Sequence, residues 1–288
     1  MNVALLSAQS ALGHDIDEPA VVEAFLGLGA EISVQCWDRP TDWSRFDAAV
    51  LKSTWDYSRR LDEFTQWLDD VSEQTRLVNP FEVVSWNLDK RYLHELESDG
   101  VEIVPTTFAR SLEELVFPAG EYVIKPSCSA GAQNTAMFTE GQHDQAVALS
   151  TSILRSGKSV MVQPYLSSVN EVGETGMYFF GGEFSHAFRK GLQLDAPRST
   201  DQELFVVEDI AERTANPDQL ALAARVMESL THRFGDSVVY ARIDVLEGEC
   251  GPQLLECELI EPSLFVHTSP GSAQRYAAAV LTALGESC

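Results

Sequence analysis

Lysine is scarce in this chain of 288 residues, with only Lys52, Lys90, Lys125, Lys158 and Lys190, and 20 Lys and Arg together face 44 Asp and Glu. The formal net charge of −24 leaves no basic surface for a phosphate backbone, which excludes a nucleic-acid partner. A solvated acidic surface that aids solubility accounts for the excess without any catalytic meaning. An anionic ligand must then be held by local cations, loop amides or a metal ion. No apolar run reaches membrane length, and the N-terminal VALL lacks the length and basic flank of a secretory signal. A soluble cytoplasmic protein with no membrane partner is therefore expected. The cysteines Cys36, Cys128, Cys250, Cys257 and Cys288 are odd in number and show no CxxC or His-containing metal spacing, which fits free thiols in a reducing compartment. Internal repeats, low-complexity tracts and a Walker A GK[ST] ending are also missing.

The first ninety residues alternate between strand-like and helix-like segments. Val3 to Ser7, Ile32 to Cys36, Ala48 to Ser53 and Leu77 to Asn79 read as strands. Pro19 to Leu28, stopped by Gly29, and the amphipathic Asp62 to Val71 read as helices. A small parallel α/β lobe over residues 1–87 follows from this pattern. Beyond it, a helix from Asp89 precedes VEIVPTTF, strands at Tyr122 to Lys125, Thr135 to Phe138 and Val160 to Gln163, and a helix over Asp144 to Arg155. These segments predict an α+β lobe over 88–165. The remainder, 166–288, mixes antiparallel strands at Met177 to Phe180, Phe184 to Lys190, Val238 to Leu246 and Leu254 to Ile260 with two helices. The better helix begins at Pro217 behind Asn216 as N-cap and stops before Gly235. Leu192 to Asp201 is expected to be a mobile loop.

The chemistry concentrates in YARIDVL (240–246) and QLLECELIEP (253–262). Side chains alternate along a strand, so Arg242 and Asp244 share one face, Glu256 and Glu258 share another, and the opposite faces are apolar. If EGECG closes a hairpin, three carboxylates and a guanidinium meet on one patch, where Mg²⁺ would relieve the repulsion. An antiparallel hairpin with one solvated charged face has the same pattern. Lys125 ends a β-branched strand and precedes the small-residue loop PSCSAGAQNT, where amides at Ser129 and Gly131 and the lysine itself could hold phosphate oxygens. An ordinary flexible turn after a strand lysine reads alike. VMVQPYL (160–166) offers backbone groups beside apolar side chains, which suits an adenine edge or a plain core strand. Thr54, Trp55 and Asp56, with Ser53 and Tyr57, end a parallel strand, where ligands of open α/β sheets bind. Arg189 and Lys190 offer cations for a carboxylate or γ-phosphate, and Ser263, His267 and His186 are further candidates for facing a substrate.

In order and spacing, Asn87-Leu88-Asp89-Lys90, the GVxxVPxT-like Gly100 to Thr106, Lys125 with its loop, the QPYL hinge, and the Arg-x-Asp and Glu-x-Glu strands resemble the ATP-grasp superfamily over nearly the whole chain. The resemblance implies three lobes of α/β and α+β type, with ATP and Mg²⁺ as cofactors and a carboxylate activated as an acyl phosphate. It places Lys90 and Lys125 on phosphates, Gln163, Tyr165 and Leu166 at adenine, Glu171 at the ribose, and Arg242 with Lys125 at the transferring phosphoryl group. Asp244, Glu256 and Glu258 become Mg²⁺ ligands, although many members carry asparagine where Glu258 stands. Lys52 to Trp67, Glu174 to Lys190 and Glu258 to Pro270 are similar to a branch that includes a cycloserine-forming ligase. This implies an ADP-forming carbon–nitrogen ligase or cyclase acting on a small amino-acid-like substrate, with O-ureido-D-serine as the specific candidate. An ATP-grasp kinase and a non-catalytic nucleotide sensor remain as other readings, and a homodimer is one option for assembly.

Overall fold

The computed structural model describes residues 1–131, 133–191 and 209–285; the expected loop at 192–201 lies outside them. The N-terminal alternation folds as β1 (Asn2–Ser7), α1 (Glu18–Gly27), β2 (Glu31–Cys36), β3 (Ala48–Ser53), α2 (Leu61–Ser72) and β4 (Arg76–Val78). These strands form one parallel sheet in the order β2-β1-β3-β4. Apolar side chains on both strand faces explain why: Val3, Leu5 and Val50 enter one buried cluster and Ala4, Leu6 and Leu51 another. Pro19 opens the first turn of α1, and Gly29 at φ 83° ends it.

Next come α3 (Phe81–Asn87) and α4 (Tyr92–Ser98), followed by β5 (Thr107–Ala109), β6 (Tyr122–Pro126), β7 (Ala136–Phe138), α5 (His143–Arg155) and β8 (Val160–Pro164). The strands pair antiparallel in the order β5-β8-β6-β7, and α5 covers a small core of Tyr122, Ile124, Phe138, Ala146 and Ile153. A third sheet is built from β9 (Glu174–Phe180), after the short α6 (Ser168–Glu171), with β10 (Glu183–Lys190), β11 (Ile210–Arg213), β12 (Tyr240–Gly248) and β13 (Gly251–Glu258). It is antiparallel, in the order β11-β10-β9-β12-β13. Between β11 and β12 runs α7 (Pro217–Phe234), and α8 (Ser272–Ala283) follows β13. Asn216 caps α7 as its sequence predicted, and Gln219 completes a reciprocal cap.

The three sheets are not equally independent. Val83 of α3 and Leu93 of α4, on either side of the expected boundary at 87/88, bury in one core with Leu222, Val226, Ile243 and Leu254 under the five-stranded sheet. The N-terminal sheet shares a second core with it through Phe25, Val50, Phe180, Tyr240 and Tyr276. Polar joints reinforce this. Asn79, fully buried at φ 53°, donates through Nδ2 to the carbonyls of Tyr240 (2.8 Å) and Leu259 (2.7 Å), while its Oδ1 accepts Val239 N–H at 2.7 Å. Asn87 donates to the Cys257 carbonyl and accepts Leu259 N–H, both at 2.8 Å. Cys36, Cys128, Cys250 and Cys257 are free thiols, and no described helix is long and apolar enough to cross a membrane.

Candidate active site

A cleft of about 690 Å³ opens where the three sheets meet. Its floor is the predicted hairpin. Arg242 pairs in register with Glu258 and Asp244 with Glu256, while Ile243 and Cys257 point into the core behind. The register then shifts, so that Val245 faces Leu254 and Leu255 becomes an extra residue. This bulge lets Leu254 enter the core and turns Leu255 into the cleft beside Leu246. The sequence pattern gave no sign of it.

The charges on the floor are closely paired. Arg242 Nε lies 2.9 Å from both Asp244 oxygens, Nη2 lies 2.7 Å from Asp244 Oδ2, and Nη2 also donates to Glu258. Burial opposes the guanidinium charge, but Asp244 and Glu258 outweigh it and hold Arg242 firmly protonated. Glu256 accepts from Lys90 Nζ at 3.0 Å. Burial would raise this carboxyl, yet Lys90 and Lys125 pull it down to about 2. Glu258 goes the other way: burial, with Glu256 and Asp244 against Arg242, raises it to about 7. Lys125 is buried at the end of β6, and burial together with nearby Lys90 lowers its value against the pull of Glu256. A lysine in this state lacks a full counter-charge, which a phosphate would supply.

The structure brings most of the predicted residues to this cleft. Lys90 donates to the Ser129 carbonyl at 3.0 Å and ties the small-residue loop to the floor, with Gly131 at φ 63°. Gln163, Tyr165 and Leu166 line the opposite end with Val104 and Val123, and Gln163 Nε2 donates to Thr106 Oγ1 at 2.9 Å. Trp55, Tyr57, Lys190, Ser263 and His267 line the third side, beside the N-terminal sheet. There the loops after β1 and β3 converge, the point where strand order reverses and open sheets bind ligands.

Six candidate residues sit elsewhere, among them Ser53, which is buried at the end of β3. Glu171 ends the short α6 and is exposed, outside the cleft lining, because the helix turns it away from the β8 hinge. Thr54 is fully buried, and Asp56 is held by Trp37 Nε1 at 2.9 Å and Arg60 Nη1 at 3.2 Å, inside the N-terminal lobe. Arg189 alternates away from Lys190 on β10, with Nη1 on Asp209 at 2.9 Å and Nε on the Val172 carbonyl at 3.3 Å. His186 is also buried, stacked on Tyr178 and donating from Nε2 to the Leu264 carbonyl at 3.2 Å.

Sequence reading missed several lining residues. Glu174 begins β9 in register with Lys190, and burial, against Lys190, raises it to about 8. Asp15 and Asp17, in the loop after β1, bracket buried Lys52, with Asp15 at 2.7 Å and Asp17 at 3.8 Å. Asp17 also accepts Leu264, Phe265 and Val266 N–H at 2.7, 2.9 and 3.0 Å, which holds Phe265 in the left-handed region at φ 45°. Glu261 forms part of the same wall. The unusual acidity of DIDE at 15–18 was the available signal.

Among the described residues, no three carboxylates, histidines or cysteines gather closely enough to hold a metal by themselves. The donor set nevertheless suits Mg²⁺, which needs one or two carboxylates when phosphate oxygens fill the rest of its shell. An apolar slot, flanking lysines and a carboxylate floor with its own arginine, set between two α+β sheets and beside a parallel one, define an ATP-binding, ADP-forming carbon–nitrogen ligase of the ATP-grasp class. A family model described as D-cycloserine synthetase DcsG, N-terminal domain, matches residues 3–79. Cycloserine biosynthesis protein DcsG of Streptomyces lavendulae is 34% identical over 292 residues, covering 96% of this chain and 97% of that protein. The crystal structure of D-cycloserine synthetase DcsG superposes with a TM-score of 0.88 at 32% identity, over 99% of this chain and 100% of that one. A RimK domain ATP-grasp protein from Sphaerobacter thermophilus gives a TM-score of 0.66 at 16% identity, over 98% and 100% of the two chains, and so speaks to the fold alone. The chain belongs to the DcsG family.

Proposed function

We propose that this ligase binds Mg-ATP between the small sheet and the five-stranded sheet and closes O-ureido-D-serine into D-cycloserine. The observation that carries the reading is the floor itself, where Arg242 sits between Asp244 and Glu258 while Glu256 faces Lys90 and buried Lys125 is only partly counter-charged. Phosphoryl transfer needs alignment and neutralisation more than covalent help from the protein. Lys90 and Lys125, with loop amides at Ser129 and Gly131, hold the phosphates. Arg242 stabilises the phosphoryl group in transit, and Tyr165 and Leu166 flank the adenine. Asp244 and Glu256 would hold Mg²⁺, with Glu258 beside them and released from Arg242. The metal would neutralise phosphate charge.

The substrate carboxylate attacks the γ-phosphorus, ADP leaves, and an acyl phosphate forms. The nitrogen bonded to oxygen then attacks the acyl carbon, expels phosphate and closes a five-membered ring that still carries the carbamoyl group. Water removes that group as carbamic acid, which falls to carbon dioxide and ammonia, so atoms balance with one ATP consumed. The cleft wall at Trp55, Lys190 and Ser263 encloses the substrate.

The test is ADP and phosphate release from Mg-ATP with mass detection of products, across D- and L-amino acids that include O-ureido-D-serine. Stoichiometric ADP and phosphate with D-cycloserine are expected. A stable phosphorylated product without free phosphate, or no turnover with any compound, would overturn the reading.

A further inference from the structure

We infer that Glu261 is the residue that recognises the α-ammonium group of the substrate, an assignment that rests on the ligase reading above. Its backbone is immobilised from several sides. Trp55 Nε1 donates to the Glu261 carbonyl at 3.1 Å, and Tyr240 hydroxyl donates to the Ile260 carbonyl at 2.8 Å. Beyond it, Tyr178 hydroxyl donates to the Ser263 carbonyl, and Asp17 takes the next three amides. The residue is 7% exposed and lines the cleft with Trp55 and the floor.

Among the described residues, the Glu261 carboxylate has neither a partner nor a cation set in register beside it. Most other carboxylates lining the cleft are matched by contacts of this chain: Glu256 by Lys90, Asp244 and Glu258 by Arg242, Asp15 by Lys52, and Asp17 by three amides, while Glu174 stands in register with Lys190 on the neighbouring strand. Glu261 makes no ion pair, and its carboxylate accepts no hydrogen bond, among the described residues. Burial, reinforced by the charge of Glu258 against that of Lys90, raises it to about 8. A buried carboxylate so placed is stable as an anion only when a cation arrives. Lys90 and Arg242 are both committed elsewhere. The ligand has to bring the cation, and it must do so next to the carboxylate being phosphorylated. An α-amino acid has this geometry, because its ammonium stands one carbon from its carboxylate. The assignment therefore gives the α-amino end of the proposed substrate a residue that reads it.

The experiment compares O-ureido-D-serine with 3-(ureidooxy)propanoate, which lacks only the amino group, in the wild type, E261Q and E261D. Wild-type kcat/KM should favour the amino compound by about 10- to 100-fold, the scale of one charge-assisted hydrogen bond, and E261Q should lose that preference. E261D, which keeps the charge but shortens its reach, should retain part of it. The thermal midpoint at pH 8 should stay level or rise in E261Q, since a carboxyl that resists ionisation is removed. Equal loss for both compounds in E261Q, or a lowered midpoint, would mark Glu261 as structural and overturn the assignment while leaving the ligase reading intact. Absence of ADP formation with every amino acid would overturn the ligase reading, and the ammonium assignment would fall with it.

Discussion

Replacing Asn79 by alanine tests whether the N-terminal sheet and the five-stranded sheet are joined as tightly as the structure shows. Three strong hydrogen bonds would be lost, leaving the carbonyls of Tyr240 and Leu259 and the Val239 amide buried without partners. Each such orphan costs about 1–3 kcal/mol, and partial rearrangement holds the sum near the lower end, about 3–5 kcal/mol. Alanine in the left-handed region at φ 53° adds about 1 kcal/mol. Against a typical stability of about 5–15 kcal/mol this is a large fraction. Thermal melting should show the midpoint lowered by roughly 10 °C. Asn79→Gly separates the two effects, since it loses the same bonds without the backbone strain, and it should melt slightly above Asn79→Ala. If Asn79→Ala melts within about 2 °C of the wild type, a shift of only about 1 kcal/mol, the joint is not stabilising as calculated and the reasoning is wrong.

Glu256→Gln should lower Mg²⁺-dependent ADP formation by roughly a hundredfold or more with the fold intact, because it removes a charge from the floor, and normal turnover would sink the metal-site assignment. Asp17→Asn should raise KM for the amino-acid substrate and lower the melting midpoint together, since it loosens the amides of 264–266; a change in neither would show that this contact does not position the wall. The pH profile of the ligand-free protein follows from the buried carboxyls. Glu258 near 7, and Glu174 and Glu261 near 8, bind more protons folded than unfolded above the ordinary value of 4.5. Stability should therefore fall as pH rises from about 5 through 8, whereas Glu256, near 2, contributes stability that is lost as pH falls from 4.5 toward 2. Calorimetry should place the maximum near pH 5, and a midpoint that rises from pH 6 to 8.5 would contradict these assignments.

What the sequence disclosed and what it hid divide along a physical line. Period-two alternation put Arg242, Asp244, Glu256 and Glu258 on one face before any coordinates, because each lies within a short regular strand, and Asn216-Pro217 announced α7 in the same local way. The bulge at Leu255 was invisible, since it depends on register with β12. Asp15, Asp17 and Glu261 were missed because their roles arise where segments distant in sequence meet, Asp15 with Lys52, Glu261 with Trp55 and Asp17 with the amides of 264–266. Glu171 and Glu174 show how narrow the margin is: three residues separate an exposed helix end from a half-buried strand start that lines the cleft.

The shared cores have a consequence for how the enzyme takes up its ligands. Helices α3, α4 and α8 weld the N-terminal and five-stranded sheets into one frame, whereas the sheet carrying Lys125 and Gln163 keeps a core of its own. Beyond that core it offers chiefly Met161 and Phe108 to the frame. The proposed substrate wall of Trp55, Glu261 and Ser263 thus belongs wholly to the frame. Any jaw movement has to come from residues 107–164. A nucleotide gripped by that jaw would roof over a substrate already seated, so the amino acid would enter an open groove and leave, as product, only after the jaw lifts.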